Sequence, residues 1–485
     1  MTIKDLKPAR VWNVFDQITQ VPRPSKKEGK IREWLINFAK ENKLEYKVDE
    51  IGNVAMFRPA APGFENAKGI ILQAHMDMVC EKNKDSKHNF DTDPIETIID
   101  GEWVRANGTT LGADDGMGVA IALAVLTDPA IIAGPLEGFF TVDEETGLTG
   151  ASNVGEGMLK GDYLLNLDSE DDGIITMSCA GGMDTLATFE YKPLDAPKDL
   201  IYFNLKLTGM NGGHSGTDIN TERACATRQV ARMLYDLRVI DYELATIDAG
   251  NLRNAIAREG EATIGIKPCD KEKLSAAFNE FAAMVKEEYK ISEPNFKAII
   301  TSVDAPAKII NKADAERIVN TLYVAPHGVQ SISLEVEGLV ETSTNLSSIK
   351  MHEEGIIEIV TSQRSAVGSR KMDTAHRVET IFKMGGGKVR HTDGYQGWAP
   401  NKNSKILKTA IRIWKGLYGV EPKVEAIHAG LECGLFLKVN PNLDMISYGP
   451  TLRNVHSPSE CCHIPAVQKA WDFTLGIIED VKNEK

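Results

Sequence analysis

His75 and Asp77 stand two residues apart at the end of the apolar run Gly69-Ile70-Ile71-Leu72-Gln73-Ala74, so on an extended chain their side chains leave the same face. An imidazole placed there can bind a cation while the carboxylate orients it, the usual support of a metal-bound histidine. A second apolar run, Leu136 to Val142, ends in Asp143-Glu144-Glu145, and a third, Tyr163 to Leu167, ends in Asp168. Carboxylates crowded in this way repel one another unless a cation sits among them. Successive residues of a strand point in opposite directions, so Glu144 and Glu145 are expected to do different jobs. Asp114-Asp115-Gly116 lies in a glycine-rich turn before an apolar helical segment, and taken by itself it reads as a helix cap, since carboxylates suit a helix amino end. Two further patterns fail on inspection. Asp168 to Gly173 starts like a calcium loop but has Glu170 and Cys179 where Asp or Asn and then Glu are required, and His352-Glu353-Glu354 lacks the second histidine of HExxH, Ile356 standing in its place. His214, His428 and His456 lie in loops rich in glycine or proline, where a tight turn accounts for any one of them taken singly.

These residues need elements to bring them together. Glu28 to Lys43 has apolar residues at helical spacing, and the runs ending at His75, Asp143 and Asp168 alternate with helical pattern, as in an α/β sheet. In such sheets ligands collect beyond the carboxyl ends of the strands, which is where the clusters fall. The middle of the chain reads as an α+β unit, with strands over Leu200 to Leu207, Ser331 to Val336 and Gly355 to Thr361. Helices are predicted there over Thr221 to Arg238, Lys271 to Tyr289 and Asp373 to Met384. Helical pattern returns at Ser404 to Leu417 and Pro465 to Val481, with strands at Lys423 to Ile427 and Leu443 to Ser447. The expected organisation is an α/β domain in two parts, 1–185 and 399–485, interrupted by an α+β domain over 186–398.

Composition narrows the partners. With 485 residues and 42% hydrophobic content the chain exceeds one ordinary domain. Lys and Arg total 55 against 69 Asp and Glu, a formal charge of -14 that disfavours nucleic acid and anionic membrane surfaces. The amino-terminal segment lacks the apolar run and cleavage site of a secretory signal, and no window has the length of a membrane span, so a cytoplasmic location is expected. Seven cysteines without CxxC spacing read as reduced, buried small residues rather than as a disulfide framework or a zinc knuckle.

Together, His75-Met76-Asp77-Met78-Val79, Gly112-Ala113-Asp114-Asp115-Gly116, Asp143-Glu144-Glu145-Thr146-Gly147, Asn166-Leu167-Asp168-Ser169-Glu170, Gly212-Gly213-His214-Ser215-Gly216 and Asn454-Val455-His456-Ser457-Pro458 resemble, in this order, the co-catalytic zinc exopeptidases and aminoacylases. Ile427-His428-Ala429-Gly430-Leu431-Glu432-Cys433-Gly434 resembles their dipeptidase branch. The resemblance implies a catalytic domain with a mixed sheet flanked by helices, interrupted by an inserted α+β lid that also serves dimerisation. It implies two Zn2+ per subunit, with Co2+ or Mn2+ as substitutes. Asp114 would bridge the ions, His75 and Asp168 would complete one, and Glu145 and His456 the other. Asp77 would orient His75, and Glu144 would be the general base. His214 would steady the oxyanion, from the second subunit in relatives. Arg364, Asn254 and Gly430 would bind substrate. The implied activity is hydrolysis of unblocked dipeptides, Xaa-His and broader, by a homodimer. N-acyl amino acid hydrolysis, carboxypeptidase activity and a catalytically silent peptide-binding scaffold remain open alternatives.

Overall fold

The computed structural model describes residues 2–353 and 355–484, so Glu354 of the His352-Glu353-Glu354 sequence falls outside the described residues. The chain forms two units. Met1–Cys179, Pro400–Ala426 and Leu431–Lys485 make the first, and Ala180–Ala399 with Ile427–Gly430 the second.

The first unit is built on β1 (Glu45–Val48), β2 (Val54–Arg58), β3 (Ile70–His75), β4 (Leu136–Thr141), β5 (Tyr163–Asn166), β6 (Ile174–Cys179), β7 (Lys423–Ile427) and β8 (Asp444–Ser447). Their order in the sheet is β1-β2-β4-β3-β5-β8-β6-β7. Every residue of β3, β4 and β5 is buried, as expected of apolar strands covered on both faces. β3 pairs in parallel with β4 on one side and β5 on the other, with His75 opposite Thr141 and Gln73 opposite Asn166. Parallel pairing brings three carboxyl ends to one edge of the sheet. The residues that follow them, through Asp77, Glu145 and Asp168, therefore emerge side by side.

Of the helices in this unit, α1 (Ala9–Thr19) and α2 (Ala113–Thr127) pack against each other, and α2 packs on β3. α2 is buried on nearly all sides, which its run of Val, Ala, Ile and Leu permits, and it keeps its carboxylates for its amino end. α3 (Lys405–Tyr418) and α4 (Ile464–Val481) come from the last part of the chain and pack together. A smaller sheet joins Thr97–Asp100 and Trp103–Ala106 to Leu452–Arg453 and Cys461–His463, and the turn between the last two strands carries His456.

The second unit contains a nine-stranded sheet with helices Ala226–Asp236, Lys271–Glu288, Lys312–Val324 and Gly368–Met384. Their apolar faces share one core with the sheet. The helix expected from Asp373 begins earlier, at Gly368, and two other expectations shift here. The strand expected over Ser331 to Val336 is Gly328–Ile332, and the helix expected from Thr221 begins at Ala226. The latter starts late because Arg223 is used to grip Asp218 and the Gly212 carbonyl, which holds this stretch in a loop. The cysteines are thiols rather than disulfides, and five are buried as expected. Cys80 is half-buried, and Cys269 is exposed on the short turn Pro268–Asp270. No described helix is long and apolar enough to cross a membrane.

Candidate metal centre

The last residue of β3, His75, is 1% exposed, and its Nε2 lies 3.1 Å from Asp114 Oδ1 and 3.4 Å from Asp168 Oδ1. His456 Nε2 lies 3.1 Å from Asp114 Oδ2 and 3.0 Å from Glu145 Oε2. The two oxygens of Asp114 thus face different histidines. In each group, His75, Asp114, Asp168 and Asp114, Glu145, His456, the candidate ligand atoms lie within 4.8 Å of one another. The neighbouring carboxylate does the ordinary helix work: Asp115 Oδ1 accepts from Gly118 N at 3.1 Å, while Asp114, at a non-helical φ of -81° and ψ of 111°, is left for the histidines.

Asp77 ties two strand ends together. Its Oδ1 lies 3.4 Å from His75 Nδ1 and accepts from Glu144 N at 3.1 Å, and its Oδ2 accepts from Glu145 N at 3.4 Å. Glu144 and Glu145 do not continue a strand, which corrects the alternation expected of them. Asp143 turns the chain at a φ of 50°, and Glu144–Gly147 form a helical turn held by the Thr146 and Thr149 hydroxyls donating to Asp143. His456 has a φ of 59°. Left-handed backbone at non-glycine residues costs roughly 1–3 kcal/mol and persists where surrounding contacts enforce it, commonly at functional sites. Glu28, Asp77 and Asp143 also lie close together, but Glu28 Oε1 there accepts backbone N–H groups of Lys26 and Asp143.

Three supporting residues escaped the sequence reading. Glu460, 2% exposed, accepts from four consecutive amides: Leu111 and Gly112 at 2.8 and 3.0 Å on Oε2, Ala113 and Asp114 at 2.8 and 3.4 Å on Oε1. Buried Arg23 donates to the carbonyls of Met76 at 3.2 Å, Asp77 at 2.7 Å and Gly112. Gly112 has a φ of 69°, and a Cβ there would stand 2.5 Å from Arg23 Nη2, so only glycine fits the turn. Buried Glu432 receives Gln73 Nε2 at 2.6 Å and Thr141 Oγ at 2.8 Å on one oxygen. Glu432 lies within a quoted motif and Glu460 near one, but nothing in their spacing announces a backbone or strand-end partner.

The site carries more negative charge than its burial tolerates. Burial pushes Asp168 up to about 7 and Glu432 up to about 8. Burial, reinforced by Asp168, Glu432 and Glu145, holds Glu144 well above the usual carboxylate range. Hydrogen bonds to Asp114 and Glu145 raise His456 to about 11. Burial opposes the charge on His75, but Asp168, Asp114 and Asp77 outweigh it and keep the imidazole well above its ordinary value. Such a cluster calls for cations. The residues fit that demand. Among the described residues Glu145 Oε1 is buried with no hydrogen-bond partner, and two sets of one imidazole with carboxylates, sharing Asp114, offer the ligand types that divalent metals take.

His214, Asn254, Arg364 and Gly430 all lie in the second unit. His214 Nδ1 accepts from the amides of Gly216 and Thr217 at 3.2 and 3.1 Å, which leaves the ring proton on Nε2 as a donor. Burial and the charge of Arg364 lower His214 to about 4, so the ring is neutral near pH 7. Arg364 is 6% exposed, donating from Nε to Ser215 Oγ at 3.3 Å and from Nη1 to Tyr395 Oη at 3.0 Å. Among the described residues no carboxylate pairs with it. A Cβ on Gly430 would meet Tyr395 Oη at 2.8 Å, so glycine keeps that tyrosine beside the guanidinium. Asn254 presents an exposed side chain, and its carbonyl accepts from Ser215 N at 2.8 Å. His428, buried in the same unit, contacts Ser343 Oγ at 2.7 Å.

Residues 71–480 match the model of Peptidase family M20/M25/M40. The sequence is 37% identical over 485 residues to the cytosol non-specific dipeptidase of Escherichia coli (strain K12), covering 99% of each chain. The crystal structure of aminoacylhistidine dipeptidase from Vibrio alginolyticus matches with a TM-score of 0.92 at 40% identity, over 100% of this chain and 99% of that one. A tripeptidase from Staphylococcus aureus matches with a TM-score of 0.57 at 16% identity, over 99% of this chain and 100% of that one, a likeness of fold alone.

Proposed function

We propose, from the premise that this chain belongs to Peptidase family M20/M25/M40, that it hydrolyses the peptide bond of unblocked dipeptides at a site for two divalent cations, zinc in the first place. The observation that carries the reading is Asp114, with one oxygen 3.1 Å from His75 and the other 3.1 Å from His456, inside a chain similar over its whole length to two dipeptidases. When bound, the cations would acidify a water and polarise the scissile carbonyl. His75 and Asp168 would hold one ion, Glu145 and His456 the other, and Asp114 both.

The chain's own residues do the rest. Asp77, against His75 Nδ1 and the Glu144 amide, sets the angle of the imidazole and the place of the base together. The Glu144 carboxylate takes a proton from the water as its oxygen bonds to the carbonyl carbon. It delivers that proton to the amide nitrogen as the C–N bond breaks. His214 offers Nε2–H to the oxyanion and, being neutral, acts as a hydrogen-bond donor rather than a counter-charge. Arg364, buried without an acidic partner among the described residues, takes the free carboxylate of the substrate, with Asn254 and Gly430 beside that end. A carboxylate anchor of this kind favours substrates whose chain ends one residue beyond the cleaved bond.

The second unit as lid and dimerisation domain belongs to the same reading. Its edge strand Lys297–Val303 leaves Ile299 and Val303 exposed, an edge that a second copy would cover. Light scattering at micromolar concentration tests the homodimer. The reading as a whole is tested with metal-stripped and zinc-reconstituted protein on free dipeptides including Xaa-His, a tripeptide, a C-terminally amidated dipeptide and an N-acetyl amino acid. Zinc-dependent cleavage confined to free dipeptides is expected. Cleavage of the acetylated substrate alone would make it an acylase, and metal binding with no turnover would make it a peptide-binding scaffold.

A further inference from the structure

Glu432 enters the first unit from the last part of the chain and ends beneath the metal centre. It is fully buried at the amino end of the short helix Cys433–Phe436. Oε2 accepts from Gln73 Nε2 at 2.6 Å and from Thr141 Oγ at 2.8 Å, and Gln73 Oε1 accepts in turn from Asn166 Nδ2 at 2.6 Å. Gln73, Thr141 and Asn166 are themselves fully buried. Each stands just before a residue of the centre: Gln73 two before His75, Asn166 two before Asp168, and Thr141 three before Glu144. Gln73 opposite Asn166 is the last pair in the register between β3 and β5. Past it the sheet no longer fixes the distance between His75 and Asp168.

We infer that Glu432 is a positioning residue: through Gln73, Thr141 and Asn166 it clamps the carboxyl ends of β3, β4 and β5, and so sets the spacing of His75, Asp168 and the Glu144-Glu145 turn. The alternative, a polar group kept for packing alone, is costly in this place. Four polar side chains are buried together at the ends of these strands, where unmet polar atoms are costly, and among the described residues neither Glu432 Oε1 nor Asn166 Oδ1 has a hydrogen-bond partner. An apolar quartet would pack the same strands without that cost. The clamp works by hydrogen-bond geometry at Oε2, so an amide in place of the carboxyl preserves it and a methyl group does not.

The inference rests on the two-metal reading, and its test separates the two. Glu432→Gln and Glu432→Ala are compared with the parent chain by chelator competition for Zn2+, by the visible spectrum of the Co2+-loaded protein, by kcat and KM on a free dipeptide, and by urea unfolding. Glu432→Ala is expected to weaken metal affinity and lower kcat by ~10–100-fold each, with KM little changed and the Co2+ bands displaced. Glu432→Gln is expected to restore the bands and to recover both quantities to within about threefold, because its amide oxygen still accepts both bonds. Should Glu432→Ala fail to fold, Thr141→Val removes one of the two bonds and is expected to displace the bands in the same direction. Parental bands and affinity in the alanine variant, with only the unfolding midpoint lowered, would overturn the clamp. So would a glutamine variant as impaired as the alanine. A parent chain that binds metal but cleaves no dipeptide would defeat the proposed function, and the affinity and spectral comparisons would still decide the role of Glu432.

Discussion

Replacing Glu460 by Gln should damage the metal centre without touching any proposed ligand, and the size of the effect follows from the bonds it breaks. The carboxylate accepts four backbone N–H groups along the turn that ends at Asp114, two on each oxygen. Glutamine keeps one acceptor oxygen, and its NH2 group would confront two of those donors. With the amide toward Ala113 and Asp114, the lost bonds are one of 2.8 Å and one long contact of 3.4 Å. A buried N–H left without an acceptor costs ~1–3 kcal/mol, and the surviving pair weakens from charge-assisted to neutral, about 1 kcal/mol each. Against this, the substitution removes a charge that burial disfavours, for burial raises Glu460 above its ordinary value. The net loss is then ~2–4 kcal/mol, or about 30- to 1000-fold in the equilibrium that forms the turn. Because Asp114 is proposed to bind both ions, that loss should be read as weakened Zn2+ affinity of similar size. Chelator competition on the parent chain, Glu460→Gln and the exposed control Glu102→Gln measures it. Affinity in Glu460→Gln within about threefold of the parent would refute the assignment of this turn to Glu460, since one unmet amide alone would exceed that.

Glu144→Gln should lower kcat by ~100-fold or more while two metal ions per chain remain bound, as determined by metal analysis of the dialysed protein; undiminished turnover would remove Glu144 as the base. Arg364→Lys should raise KM for free dipeptides by about tenfold, a charge-assisted bond being worth ~1.5–3 kcal/mol, and leave the slow cleavage of an amidated dipeptide unchanged. Steady-state kinetics on both substrates checks it, and equal losses on both would show that the guanidinium does not read the carboxylate. His428 gives a pH-dependent expectation. Burial and the charges of Arg364 and His214 lower it from 6.5 to about 3. Between those values the unfolded chain holds a proton that the folded chain refuses. Its contribution to stability is therefore full above pH 6.5 and is lost, by at most about 1.4 kcal/mol per pH unit, as pH falls toward 3. Urea midpoints from pH 4 to 7 should rise less steeply in His428→Gln than in the parent, and parallel curves would contradict the assignment.

What the sequence discloses here divides along a physical line. His75, Glu145 and Asp168 were legible as candidates because each lies at or just past the end of a mainly apolar run, and parallel strands gather their carboxyl ends on one edge. Asp114 was ambiguous beside Asp115, since both carboxylates suit a helix end, and the structure divides the work by giving the amide of Gly118 to Asp115 alone. The direction of Glu144 and Glu145 was misread, because a left-handed Asp143, unforeseen in a non-glycine residue, stops the strand before them. Arg23 and Glu460 left no mark, and Glu432 stood in a quoted motif without a role. They act on main-chain amides and carbonyls, or on side chains several hundred positions away, and neither kind of partner has a characteristic spacing in the sequence. Groups that perform chemistry are constrained in type and placed at strand ends, whereas groups that hold them need only reach a backbone that the fold has already bent. A buried charge facing several amides, as Glu460 does, is the sign by which such residues can be found once coordinates exist, and it should be sought wherever a metal-site carboxylate lies in a turn rather than on a strand.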